Sequence, residues 1–204
     1  MITIVNYGLG NINAFINVYK RLNIPVAIAT QSVDLVGASK IILPGVGAFD
    51  HAMTLLQKSG MRETLDELVL QQKVPVVGIC VGMQILAKSS EEGVLPGLGW
   101  IDGVVKKFDA SLIKHKTRLP HMGWNTINPV NSGDLLLGFN ENSRFYFLHS
   151  FYFHCNDIRN EIANTQYGIN FSSAVQDDNI YGVQFHPEKS HENGIQLLNN
   201  FANL

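Results

Sequence analysis

The sequence predicts an α/β protein: an open, mostly parallel sheet flanked by helices, with an antiparallel β extension in the C-terminal half. Three observations lead there. Continuous apolar runs of strand length recur at 2–6, 25–29, 40–45 and 74–79. Stretches with helical spacing follow several of them. After "SSEEG" (89–93) the texture changes to shorter, Gly-punctuated runs. A strand buried on both faces reads as a continuous apolar run, and repeated strand–helix units imply parallel neighbours joined by crossovers.

The elements follow in order. "ITIVN" (2–6) is the first strand, and "GNINAFINVYKRLN" (10–23) sets Ile12, Phe15, Ile16 and Tyr19 on one helical face. "PVAIA" (25–29) is a second strand. "KIILPG" (40–45) is a third and leads into a helix over about 48–58. "VPVVGI" (74–79) is a fourth and leads into a helix over about 81–88. Beyond these, "LGWIDGVVKKFD", "HMGWNTI", "RFYFLHSFYFHC" and "IYGVQF" have the composition of antiparallel strands and turns. No internal repeat, linker or low-complexity tract divides residues 1–204, so one domain is expected.

Composition excludes several classes. With 46% hydrophobic and 16% charged residues among 204, the chain has the makings of a generous core and no disordered character. A net charge of −2, without long Lys/Arg clusters, argues against nucleic acid and against anionic membrane surfaces. No apolar run approaches the ~20 residues of a membrane span. The start "MITIVNYGLGN" lacks a basic leader segment. Two cysteines do not make a disulfide framework, so a cytoplasmic, reducing location is expected.

Chemistry concentrates where "VPVVGICVGMQIL" (74–86) passes from strand to helix. Ligands of open α/β sheets bind beyond the carboxyl ends of the strands, and Cys80 falls at such an end. "GICVG" matches the G-x-nucleophile-x-G elbow, with Cys in place of Ser. A helix N-terminus there favours thiolate. Taken alone, a buried structural cysteine fits the same position.

A thiolate nucleophile needs a base, and the base an orienting group. Among seven histidines, His186 in "IYGVQFHPE" (180–188) repeats the strand-end grammar, with Glu188 placed to hold its ring. His149 in "FLHSF" is the nearest rival. His51, His115, His121, His154 and His191 read as surface or internally satisfied residues. "LPGVGAFD" (43–50) is a strand end opening a helix, suited to an oxyanion hole. The N–H of Val81 would be the second donor. It is no phosphate loop, because G-K-[ST] is missing. No His/carboxylate spacing marks a metal site, and no cofactor is expected.

With these residues assembled, the sequence resembles class I glutamine amidotransferases, and within them the glutaminase subunits of imidazole glycerol phosphate synthases. "YGLGNI", "LPGVGAFD", "GICVGMQIL", "SSEEGVLPGLGWIDG", "PHMGWN", "RFYFLHSF" and "QFHPEKS" carry the resemblance across the whole chain. It implies Cys80 as nucleophile, His186 as general base then acid, and Glu188 as its orienter. It makes Gly45, Val46, Gly47 and Val81 the oxyanion segment. L-Glutamine would be held by the backbone around Gly47 and by Gln84, Glu92, His149 and Ser150. Tyr146, Lys189 and Trp124 would lie near a partner, a HisF-type cyclase subunit in a heterodimer, at the mouth of an ammonia passage. The reaction implied is hydrolysis of glutamine to glutamate and ammonia for a synthase of histidine biosynthesis.

Departures from the family pattern are mild: Val81 replaces a usual leucine and Phe151 a common tyrosine. A paralogous glutaminase supplying ammonia for amidine formation on a surface-polysaccharide sugar is the alternative, and another α/β cysteine hydrolase or a non-enzymatic subunit are further ones. Val46, β-branched in the oxyanion segment, resists positive φ. Low glutaminase activity of the chain alone is therefore expected.

Overall fold

The computed structural model describes residues 1–114, 118–130 and 133–204. Its first half follows the strand–helix rhythm of the sequence. β1 (Ile2–Val5) leads into α1 (Ile12–Arg21), whose first turn is capped by the Asn11 side chain accepting from Ala14 N. Phe15, Val18 and Tyr19 form its buried stripe. β2 (Val26–Ala29) and β3 (Lys40–Gly45) follow, then α2 (Phe49–Lys58) and α3 (Arg62–Asp66), which runs into a π-helical turn at Glu67–Gln71. β4 (Val76–Cys80) is buried at every residue.

β4 passes directly into α4 (Val81–Gln84), which has four residues where the sequence predicts a helix to about residue 88. The reason lies outside the segment. The carbonyls of Ile85, Leu86, Ala87 and Lys88 accept from Leu98, Ile101, Gly99 and Gly97 instead of from residues four further on. Leu86 N and Ala87 N bond only three residues back, to Met83 O and Gln84 O, and Lys88 N donates to Gly103 O, so the returning chain takes the groups that would carry the helix on.

The second half is β-rich, as expected, and more extensive. β5 (Ser89–Ser90), β6 (Gly103–Lys107), β7 (His121–Thr126), β8 (Asn128–Pro129), β9 (Arg144–His149) and β10 (Phe151–Cys155) come first. Then come β11 (Glu161–Tyr167), β12 (Ile169–Asp177), β13 (Ile180–Val183) and the terminal α5 (His191–Ala202). "RFYFLHSFYFHC" is two strands broken at Ser150.

Among the described residues the main sheet runs β2-β1-β3-β4-β13-β12-β10-β6-β5, with β11 pairing β12 and β8. From β2 to β13 neighbours are parallel, and β12, β10 and β6 extend it antiparallel. "IYGVQF" therefore supplies a strand parallel to β4 on one side and antiparallel to β12 on the other. β7 and β9 form a separate two-stranded sheet. α1 packs on α5, with the buried Tyr19 hydroxyl donating to Leu198 O at 3.1 Å. The placement of β13 beside β4 decides the chemistry, because it brings the ends of "GVQFHPE" and "VVGIC" side by side.

Candidate active site

Cys80 ends β4 with φ +54 and ψ −111, a left-handed conformation that costs a non-glycine residue about 1–3 kcal/mol. The flanking glycines make that turn possible. A Cβ on Gly82 would meet Leu43 O at 1.9 Å, and one on Gly78 would meet Gly82 O at 2.5 Å. β3, β4 and the start of α4 thus touch backbone to backbone, and the sulfur is left at the rim of a cleft of about 300 Å³. That volume suits a small ligand.

His186 stands just beyond β13 and lines the cleft with Cys80, whose thiol donates to Leu148 O at 3.9 Å. His186 Nδ1 lies 2.8 Å from Glu188 Oε1, both side chains being 3% exposed. Burial alone pulls the imidazole towards neutrality. The hydrogen bonds and charges of Cys80 and Glu188 outweigh it and raise the ring to about 10. Glu188 Oε2 is buried without a hydrogen-bond partner among the described residues. The surroundings of His186 therefore favour its imidazolium form.

A second layer of buried polar groups supports the thiol. Gln184, fully buried, donates from Nε2 to Cys80 Sγ at 3.7 Å. Its Oε1 accepts from Gln84 Nε2 at 3.0 Å, and the same Gln84 nitrogen donates to Phe151 O at 3.1 Å. His149 also donates to Phe151 O, from Nδ1 at 2.8 Å. That fixes His149 Nε2 as the acceptor facing His121 Nδ1 at 2.9 Å. Burial, reinforced by His121, holds His149 down to about 3.

Cys80, Val46, Gly47, Val81, Gln84, Glu92, His149, Ser150, His186 and Lys189 line one cleft. Gly45 lies behind it, paired with Cys80 across β3 and β4. Gly47 takes φ +94, while Val46 stays outside the left-handed region and is 39% exposed. Glu92 faces the cleft while its Oε2 accepts from Phe49 N at 2.9 Å, capping α2. Both His149 ring nitrogens are engaged elsewhere, so the ring offers a ligand no free nitrogen.

Tyr146 and Trp124 are cross-strand partners on the two-stranded sheet, with ring centroids 6.1 Å apart at 78°. Lys189 Nζ sits 5.8 Å from the Tyr146 ring centre. Trp124 is 39% exposed, and its neighbours on the same face, Met122 and Leu148, are exposed too. His191, read from the sequence as an unremarkable histidine, stacks on Trp124. His51 and His154 are exposed, and His115 lies outside the described residues.

Three residues were missed. Gln184 carried only a spacing signal, lying two residues before His186 just beyond the end of β13. His121 was legible only through its pairing register with His149. Tyr7, whose hydroxyl donates to Pro44 O at 2.8 Å beneath the oxyanion segment, gave no sequence signal beyond "NYGLGN". Among the described residues no His/Cys/Asp/Glu group is arranged to hold a metal ion, and no helix is long and apolar enough to cross a membrane.

Comparison with known proteins finds relatives over the whole chain. A family model described as glutamine amidotransferase class-I matches residues 4–204. "Imidazole glycerol phosphate synthase subunit HisH" of Bdellovibrio bacteriovorus is 58% identical over 204 residues, and that of Leptospira interrogans 52%, each covering 100% of both chains. "Imidazole glycerol phosphate synthase subunit HisH 2" of Methanococcus maripaludis is 47% identical over 98% of both chains. Among solved structures, one titled "Crystal structure of glutamine amidotransferase" superposes with TM-score 0.74 at 18% identity, covering 98% of both chains. "Structure of PurLQS from Thermotoga maritima" has TM-score 0.74 at 16% identity, covering 99% of this chain and 97% of that one.

Proposed function

The chain belongs to the class I glutamine amidotransferases, and we propose that within this family it is the glutaminase subunit of an imidazole glycerol phosphate synthase. The Cys80–His186–Glu188 array in a small cleft is the observation that carries the reading. Cys80 thiolate attacks the side-chain amide carbon of glutamine. Negative charge develops on the amide oxygen, to be met by N–H groups of the Gly45–Gly47 segment and of Val81. His186 passes its proton to the departing nitrogen, which leaves as ammonia, and a γ-glutamyl thioester remains. Water then adds to the thioester, His186 takes its proton, and glutamate leaves with the thiol regenerated. Glu188 holds the imidazole orientation throughout.

Gln84 and Glu92 line the cleft where the amino-acid end of glutamine has to sit, with Ser150 and the His149 backbone beside them. Lys189 lines the cleft and also lies over Tyr146, so the cleft opens towards the half-exposed Trp124–Tyr146 face. This face is the proposed docking surface for a cyclase-type synthase subunit. Ammonium in water is no nucleophile, so a closed passage to the partner is the physical reason to release ammonia here. Supplying histidine biosynthesis is the proposed role, in line with the names of the relatives at 47–58% identity.

The test uses the two-subunit complex. Cys80→Ala should lower glutamine-dependent product formation by about 10⁴-fold, since members of such a unit fail together. Formation from added ammonium salt should persist. Loss of both activities in an intact complex would refute the division of labour.

A further inference from the structure

We propose that Gln184 is a positioning residue that ties the nucleophile to the substrate-binding side of the cleft through one amide, donating to the Cys80 sulfur and accepting from Gln84. This rests on the reading of Cys80 as the glutaminase nucleophile. The direction is set by a backbone carbonyl, which cannot be flipped. Phe151 O accepts from Gln84 Nε2, so Gln84 presents its NH₂ group to this corner. The same NH₂ group faces Gln184, whose oxygen must therefore be the partner at 3.0 Å. Gln184 is left with its own NH₂ group towards Cys80 Sγ at 3.7 Å. Turning Gln84 over would set its carbonyl against Phe151 O, and turning Gln184 over would set donor against donor and carbonyl against sulfur.

Burial gives the bond its value. Gln184 is 0% exposed, Gln84 and Cys80 3%, so the amide group has little water to replace a lost partner. An N–H aimed at sulfur stabilises thiolate over thiol, since a donor to a charged acceptor is the stronger kind. The other end of the amide holds Gln84 by its nitrogen and leaves the Gln84 carbonyl oxygen to the cleft. A change in thiol charge is thus felt by a residue that contacts substrate, through two hydrogen bonds. The titratable groups around the sulfur are His186 and Glu188 beyond β13, Tyr7 beyond β1, His149 on β9, Lys189 in the turn after Glu188, and Glu92 across the cleft, of which His149 and Tyr7 are held neutral by burial.

Two substitutions separate the two ends. Gln184→Glu keeps the acceptor for Gln84, removes the donor to sulfur and adds negative charge beside it. Gln184→Met removes both. On the full chain, iodoacetamide alkylation of Cys80 is followed against pH by peptide mass, and kcat and KM for glutamine are measured in parallel. Gln184→Glu should leave KM within about twofold, lower kcat about 10- to 100-fold and move the alkylation midpoint to higher pH. Gln184→Met should lower kcat similarly and also raise KM about tenfold. An unchanged midpoint and kcat in Gln184→Glu would overturn the proposal. So would equal KM increases in both variants with the parental pH profile, the behaviour of a merely structural residue. Full glutaminase activity in Cys80→Ser would instead refute the underlying reading.

Discussion

At the carbonyl of Phe151 two buried hydrogen bonds meet, from His149 Nδ1 at 2.8 Å and from Gln84 Nε2 at 3.1 Å. One bond leads through Gln184 to the sulfur, the other through His149 to His121. The second chain works only with His149 neutral, because Nε2 must accept. Folding therefore holds His149 at about 3, against an unfolded value of 6.5. With the folded value below the unfolded one, the unfolded chain binds the extra proton between those limits. Stability from neutral His149 is complete above pH 6.5 and is lost as pH falls towards 3. Unfolding free energy should fall by about 1 kcal/mol per pH unit from this group between pH 6 and 5. His149→Gln, lower in stability overall, should show a slope shallower by that amount in denaturant titrations. A parental slope in the variant would show that another group is responsible.

The elbow at the end of β4 shows how an element imposes residue choice. Gly82 cannot carry a side chain, since its Cβ would lie 1.9 Å from Leu43 O, which is backbone of β3 and cannot rotate away. Gly82→Ala should cost about 3 kcal/mol or more by forcing α4 off the sheet. Gly37→Ala is the control: φ is +78 and nothing lies within 4 Å, so only backbone strain of about 1–2 kcal/mol is expected. Equal losses in the two variants would mean that close packing is not what Gly82 supplies.

The elbow was legible because a strand–turn–helix with this chemistry needs small residues at fixed offsets. The length of α4 was not, because Lys88 N pairs with Gly103 O far along the chain instead of continuing the helix, and periodicity cannot see that. "MRETLDELVLQQK", with Leu65, Leu68 and Val69 on one face, carried a helical signal that went unread, as did the terminal helix. The β11–β12 hairpin escaped because its turn is only Gly168, and register shifts interrupt β11. At the site, Cys80, His186 and Glu188 stood at strand ends and could be found. Gln184 and His121 act through burial and pairing, which only the folded chain defines.

At the scale of the whole molecule, the cleft and the exposed aromatic face are mechanically connected. His186 N donates to Tyr146 O at 2.8 Å, and the Ser190 hydroxyl bridges His186 O at 2.6 Å and Tyr146 N at 3.0 Å. A partner docked on the proposed Trp124–Tyr146 face would therefore act one peptide away from the proposed base. Val46 adds a second lever, because a β-branched residue resists turning its peptide so that an N–H faces the site. A missing oxyanion donor costs about 2.7–4 kcal/mol of transition-state stabilisation. Steady-state turnover of the chain alone should accordingly be about 10²–10³-fold below that with partner and acceptor ligand. Equal kcat in both states would remove latency from the account.

The central claim is that Cys80 carries the glutamyl group while ammonia departs. Acid-quenched mass spectrometry of the chain with its partner and glutamine tests this directly. The account predicts an adduct with the mass of glutamine less ammonia, mapped to the peptide containing Cys80 and missing in Cys80→Ala. Glutamine turnover that survives in Cys80→Ala, or an adduct on Cys155 instead, would contradict it.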